Sequence, residues 1–243
     1  MKIAWEATGG TNTGRRRQNN EDSLLVDVEH GIFVVADGMG GHAGGEIASA
    51  LAVQTAGEIL SRGGDTQAAL REAVTRANAA IFDHAARNPR MRGMGTTLTA
   101  CVLASSGVMN LGHIGDSRAY RLRSGVLEQL TVDHTWVQRE VEAGRISAKD
   151  ARTHALSHVI TQALGVDEDG EPDIQEDTVL PGDLLLLCSD GLTGMVDDTE
   201  IAELLAPEAP LPDLANALIR TANSHGGMDN ITVVLVRVLS AEL

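Results

Sequence analysis

The sequence predicts an α+β fold, a four-layer αββα sandwich in which two central antiparallel sheets lie between helices. Three observations predict it. Most of the apolar, β-branched runs are separated by only a few residues, whereas parallel pairing needs crossovers of a dozen residues or more. The runs 31–36, 183–189 and 231–238 are apolar almost without interruption, as strands are when a helix covers one face and a second sheet the other. Long helical patterns stand between the strands and need an apolar surface to lie on.

In order, β-branched and apolar runs bounded by turn residues predict strands over 3–8, 23–28, 31–36, 96–104, 107–115, 117–123, 183–189 and 231–238. An alanine-rich helix over 46–60 permits close packing. A second helix over 66–88 repeats Leu70, Ala73, Val74, Ala77, Ile81 and His84 at helical spacing. A third, over 212–224, carries Leu214, Ala215, Leu218, Ile219 and Ala222 as its stripe. The segment 133–165 reads as short helices broken at Gly144. With no repeat, low-complexity tract or long linker, residues 1–243 are expected to form one domain with that segment as a mobile insertion.

Composition excludes several classes. A net charge of -15 opposes binding to nucleic acid or anionic lipid. The longest strongly apolar run, Leu184 to Cys188, is far too short to span a membrane, and MKIAWEATGG lacks the profile of an export signal, so a cytoplasmic monomer is expected. Lys2 and Lys149 are the only lysines, and neither sits in a phosphate-cradling G-x-x-x-x-G-K-[ST] loop. Cys101 and Cys188 lie inside strand-like runs and are expected to be reduced core residues.

The acidic residues carry the chemistry. A two-residue turn at Glu29 and His30 would pair 28 with 31 and so bring Asp22 beside Asp37. Asp37 and Asp190 each follow a buried strand, and Asp229 precedes one. If 231–238 pairs antiparallel with 183–189, Asp190 and Asp229 share one sheet end, with Asp116 in the GDS turn nearby. Such carboxylates repel by about 4 kcal/mol per close pair at 4 Å and an effective dielectric of about 20. Taken singly, each Asp-Gly or Asp-Asn reads as a turn; their co-location calls for hard divalent cations, Mg²⁺ or Mn²⁺, which prefer oxygen ligands. Glycine after Asp37 is expected to let the chain turn steeply, so that the Gly38 carbonyl approaches an ion that Asp37 binds.

Six motifs follow in order: R-x-x-x-E-D (Arg17, Glu21, Asp22), ADGMGGHAGGE (36–46), GTT (95–97), GDSR (115–118), SDGL (189–192) and GMDNIT (227–232). Together they resemble the protein phosphatase 2C family of metal-dependent serine/threonine phosphatases in its compact bacterial form. The resemblance covers nearly the whole chain and implies the same sandwich fold. It implies that Asp37 bridges two metal ions, with Asp190 and Asp229 on one and the Gly38 carbonyl on the other. Glu21 and Asp22 would orient metal-bound waters, and Asp116 with Asp190 would hold a third, weaker ion. A bridging hydroxide would attack phosphorus in line, His42 would protonate the leaving alkoxide, and Arg17 would clamp phosphate oxygens. No covalent intermediate is needed, and position six beyond each cysteine is a glycine, Gly107 or Gly194, in place of the arginine of a C-x-x-x-x-x-R loop.

The 133–165 segment matches the family's flap beside the active site. It departs at SHVITQALG from the commoner RNVITRALG, with Gln162 for an arginine and His158 for an asparagine. The acidic DEDGE at 167–171 reads as a solvated turn. The resemblance implies a phosphatase of phosphoserine and phosphothreonine in proteins, opposing a bacterial serine/threonine kinase. Two alternatives stand beside it: a silent phosphoprotein-binding module of the same fold, and a partner-switching phosphatase acting on anti-sigma-factor antagonists.

Overall fold

The computed structural model describes residues 2–40, 44–166 and 170–241. Its strands are β1 (Ile3–Asn12), β2 (Asp22–Asp27), β3 (Ile32–Met39), β4 (Gly95–Thr96), β5 (Leu98–Leu103), β6 (Val108–Ile114), β7 (Arg118–Arg123), β8 (Val126–Gln129), β9 (Asp173–Thr178), β10 (Leu184–Cys188) and β11 (Ile231–Ser240). One sheet runs β1-β11-β10-β7-β8 and the other β2-β3-β5-β6-β9, with β4 paired to β3; every pairing is antiparallel. The helices are α1 (Gly44–Leu60), α2 (Thr66–Arg87), α3 (Trp136–Glu142), α4 (Ala148–Arg152), α5 (Asp190–Thr193), α6 (Asp198–Leu205) and α7 (Leu211–Ser224).

Period-two alternation within the fully apolar strands builds the four layers. In β3, Ile32, Val34 and Ala36 face α1 and α2, while Phe33 and Val35 face the other sheet. In β10, Leu185 and Leu187 meet Phe33, Val35 and Val234 between the sheets, while Leu184, Leu186 and Cys188 pack with the buried stripe of α7. These strands therefore have no polar face because neither face meets water. Both cysteines are free and buried, and burial pushes each thiol up to about 12.

The structure departs from the sequence reading at several elements. The β2–β3 ladder ends at Asp27 and Ile32, so a four-residue connection replaces the two-residue turn. Gly31 there is left-handed at φ 69°, and Asp27 accepts the His30 N–H. The register is unaffected, and Asp22 pairs with Asp37. Strands β8 and β9 went unpredicted, and β9 (DIQEDT) shows no apolar alternation because it is an edge strand held by its backbone ladder to β6. Helix α6 was also missed, although Asp197 caps it by accepting the Glu200 N–H.

Candidate metal centre

The carboxylates converge because three strand ends meet. Antiparallel β10 and β11 bring Asp190 and Asp229 to the same end. There Ser189 and Thr232 lock together: the Ser189 N–H donates to the Thr232 carbonyl, and the Thr232 N–H donates to Ser189 Oγ at 3.0 Å. Gly191 is required at the start of α5, since a Cβ there would lie 1.8 Å from the Asn230 carbonyl oxygen. Ser189 Oγ also donates to Asp22 Oδ2 at 2.8 Å, which ties this sheet to the β2–β3 hairpin of the other.

Asp37 is fixed through its backbone. Its N–H donates to Thr97 Oγ1 at 2.9 Å, and its carbonyl accepts from Thr96 Oγ1 at 2.8 Å and the Thr97 N–H at 2.9 Å. The expected steep turn after Asp37 is absent: β3 continues to Met39, and Gly40 is the first left-handed residue, at φ 135°. Gly38 is demanded by close approach instead, because a Cβ would lie 2.1 Å from the Gly45 carbonyl oxygen and 2.4 Å from that of Glu21. The Gly38 N–H donates to that Glu21 carbonyl, so the R-x-x-x-E-D segment, the strand end and the start of α1 are wedged together.

Asp22 and Asp116 are buried, while Asp37 and Asp190 are half-buried. Desolvation is the first cause of a raised pKa at all four, reinforced by mutual repulsion: Asp22 is pushed up to about 6, and Asp37 and Asp116 are held well above the usual carboxylate range. Glu21 is raised by burial and drawn back by Arg17. Arg17 Nη2 donates to Asp229 Oδ2 at 2.7 Å. Asp22 Oδ1 is buried without a hydrogen-bond partner.

Among the described residues, no group of three His, Cys, Asp or Glu side chains closes around a metal position. The residues nevertheless fit divalent cations on three counts. The donors are all oxygen, Asp22 Oδ1 is buried without a partner, and the Gly38 cradle leaves no room for a side chain beside Asp37. An ion that keeps most of its ligands as water suits such a sparse set of protein oxygens.

The structure brings together Arg17, Glu21, Asp22, Asp37, Asp190 and Asp229, and Asp116 and Asp190 both line a cavity of about 420 Å³ under α3 and α4. His42 lies outside the described residues, as do positions 167–169 of the acidic run. Sequence reasoning missed Asn230. It is buried, accepts the Glu21 N–H on Oδ1 at 2.8 Å, and donates through Nδ2 to the Thr13 and Asn19 carbonyls. The signal was present in GMDNIT, whose asparagine follows a predicted ligand. It also missed His134, which accepts the Gly115 N–H on Nδ1 at 3.1 Å, donates its own N–H to the Gly115 carbonyl, and so fixes the turn carrying Asp116.

A family model described as protein phosphatase 2C matches residues 9–235. The serine/threonine phosphatase stp of Listeria monocytogenes is 40% identical over 235 residues, covering 93% of each chain. The crystal structure of the Mycobacterium tuberculosis serine/threonine phosphatase PstP/Ppp superposes with a TM-score of 0.91 at 40% identity, covering 98% of this chain and 100% of that one. A PstP catalytic domain in complex with two manganese ions superposes with a TM-score of 0.89, also at 40% identity and with the same coverage.

Proposed function

Since this chain belongs to the protein phosphatase 2C family, we propose that its acidic rim hydrolyses phosphoserine and phosphothreonine in proteins with Mg²⁺ or Mn²⁺ as cofactor. The observation that carries the assignment is the packing of Asp22, Asp37, Asp116 and Asp190 into one desolvated cluster with all four pKa values raised, an arrangement that disfavours the bare protein and rewards added positive charge. Asp37, Asp190, Asp229 and the Gly38 carbonyl would hold two ions, and Asp116 with Asp190 a third. When bound, the ions supply charge neutralisation and a water acidic enough to act as nucleophile near neutral pH.

The remaining roles belong to the chain. Glu21 and Asp22 accept hydrogen bonds from water at the rim and aim it. The planar guanidinium of Arg17, half-exposed and now on Asp229, matches two phosphate oxygens. His42 is proposed as the proton donor to the leaving oxygen. The 133–165 segment, holding α3 and α4 over the Asp116–Asp190 cavity, is proposed as a flap on a single phosphatase domain. Among the described residues no helix is long and apolar enough to cross a membrane; a cytoplasmic monomer acting on phosphoproteins made by a serine/threonine kinase completes the proposal.

The test is phosphate release from a phosphothreonine peptide with Mn²⁺, with chelator, and in Asp37→Asn. Release that needs the cation and collapses in the variant is expected. Equal release in chelator would overturn the proposal.

A further inference from the structure

Three arginines stand in a row at 15–17 in a chain with 19 basic and 34 acidic residues. Arg17 is accounted for by Asp229, but Arg15 and Arg16 are not used by the reaction. The Arg15 N–H donates to the Gly227 carbonyl at 2.7 Å, and its Nε donates to the Asn223 carbonyl at 2.8 Å, at the C-terminal end of α7. Arg16 makes no hydrogen bond or ion pair among the described residues. The backbone beneath them is tightly fitted. Gly14 is left-handed at φ 78°, and a Cβ there would lie 2.1 Å from the Asp229 carbonyl oxygen; a Cβ on Gly227 would lie 2.6 Å from Asn223 Oδ1.

Between these walls lies a groove of about 380 Å³ lined by Arg15, Arg16, Asn223, Ser224 and Gly226, with no carboxylate in its lining. On so acidic a protein such a surface repels cations and suits an anion. The carbonyl end of α7 opposes an anion weakly, but Arg15 already caps the Asn223 carbonyl, and two guanidinium groups outweigh the remainder. The groove adjoins the proposed site: Gly14, Arg15 and Arg16 form a turn that runs directly into Arg17, and the Asp229 carbonyl lies against Gly14.

Resting on the phosphatase reading above, we propose that this groove is an anion subsite for a carboxylate or phosphate borne within about three residues of the scissile phosphoresidue. Substrate preference would then be set partly by Arg15 and Arg16, independently of the flap.

Phosphothreonine peptides test it, carrying alanine, glutamate or a second phosphothreonine at each position within three residues of the scissile one, with kcat/KM compared in the parent, Arg16→Ala and Arg16→Glu. The ratio between peptides cancels changes in the shared chemistry. The parent is expected to favour one or both acidic peptides by about five- to tenfold, more so at low salt; the glutamate and phosphothreonine arms say which anion the groove takes. The preference should shrink in Arg16→Ala and fall below unity in Arg16→Glu. Equal ratios in the parent, or an undiminished preference in Arg16→Glu, overturn the subsite while leaving the phosphatase reading intact. If no peptide is hydrolysed that reading fails, and anisotropy of the same labelled peptides in chelator decides the subsite: tighter binding of an acidic peptide, lost in Arg16→Glu, supports it, and equal binding refutes it.

Discussion

The two ends of β10 treat acidic residues in opposite ways. At the N-terminal end Asp183, 1% exposed, is matched within the protein: Arg123 donates from Nε at 2.7 Å and Nη2 at 2.6 Å, and the Leu180 N–H adds a bond at 2.8 Å. At the C-terminal end Asp190 joins Asp22, Asp37 and Asp116; the Ser189 and Thr232 hydroxyls ease only Asp22, arginines ease Asp190 and Asp116, and burial and repulsion dominate at all four. Five leucine and cysteine residues separate these ends. One end supplies its own counter-charge, and the other leaves room for charge from outside. A carboxylate with an internal partner serves the fold, whereas a set desolvated without one costs stability that a ligand can return.

The comparison breaks most visibly at Asp37. Asp37→Asn removes one negative charge from the cluster and is expected to lower kcat/KM on a phosphopeptide by about a thousandfold, while denaturant unfolding in chelator shows equal or greater stability. A less stable variant would mean that the acids hold the fold together, as Asp183 does. A smaller effect separates proton from cation. An acid whose folded pKa is raised binds its proton more tightly in the folded state, so its burden on stability is absent below the unfolded value of 3.8 and grows as pH rises toward about 6. In chelator, Asp22→Asn is therefore expected to gain stability over the parent above pH 6, by up to about 3 kcal/mol, and to lose that advantage near pH 4. Urea midpoints at the two pH values check this. Mn²⁺ should narrow the gap at neutral pH.

At the other end, Asp183→Ala strands Arg123, whose side chain is 35% exposed and can turn to water. The loss is therefore set at about 2–3 kcal/mol, below that of a fully buried pair, with the Mn²⁺ dependence of activity unaltered. A loss as small as that of an exposed pair would show that burial of Asp183 carries no obligation to be paired.

Much of this contrast was legible in the sequence because it follows from periodicity. Apolar runs without alternation mark β3, β10 and β11 as strands covered twice, and their ends place Asp37, Asp190 and Asp229. The Asp22–Asp37 pairing survived an incorrect turn because the register depends on the sum of paired positions, which the longer connection leaves unchanged. What stayed hidden has no periodic signature. β9 is polar and takes its place from β6. Gly38 is glycine because Gly45 and Glu21 crowd it, a contact across the fold that no local pattern records. Asn230 and His134 work through three-dimensional hydrogen bonds between segments far apart in sequence.

The smallest effect is expected at Asp116, and it tests how far the unpaired end extends. Its turn is held by His134, whose ring tilts against His113 with centroids 4.9 Å apart and whose carbonyl accepts the Thr161 N–H at 2.7 Å. One residue thus fixes both the Asp116 turn and the far side of the 133–165 segment. Asp116 shares its cavity with Asp190, His158 and Arg152 rather than with Arg17 and Asp229, so its loss leaves the Arg17–Asp229 side of the cluster in place. Asp116→Ala should lower kcat about five- to tenfold and shift the Mn²⁺ activation curve to higher concentration, with KM for the peptide changed less. An unchanged curve would confine the ion-binding role to the Asp37 side of Asp190 and leave Asp116 as a buried acid of the turn that His134 holds.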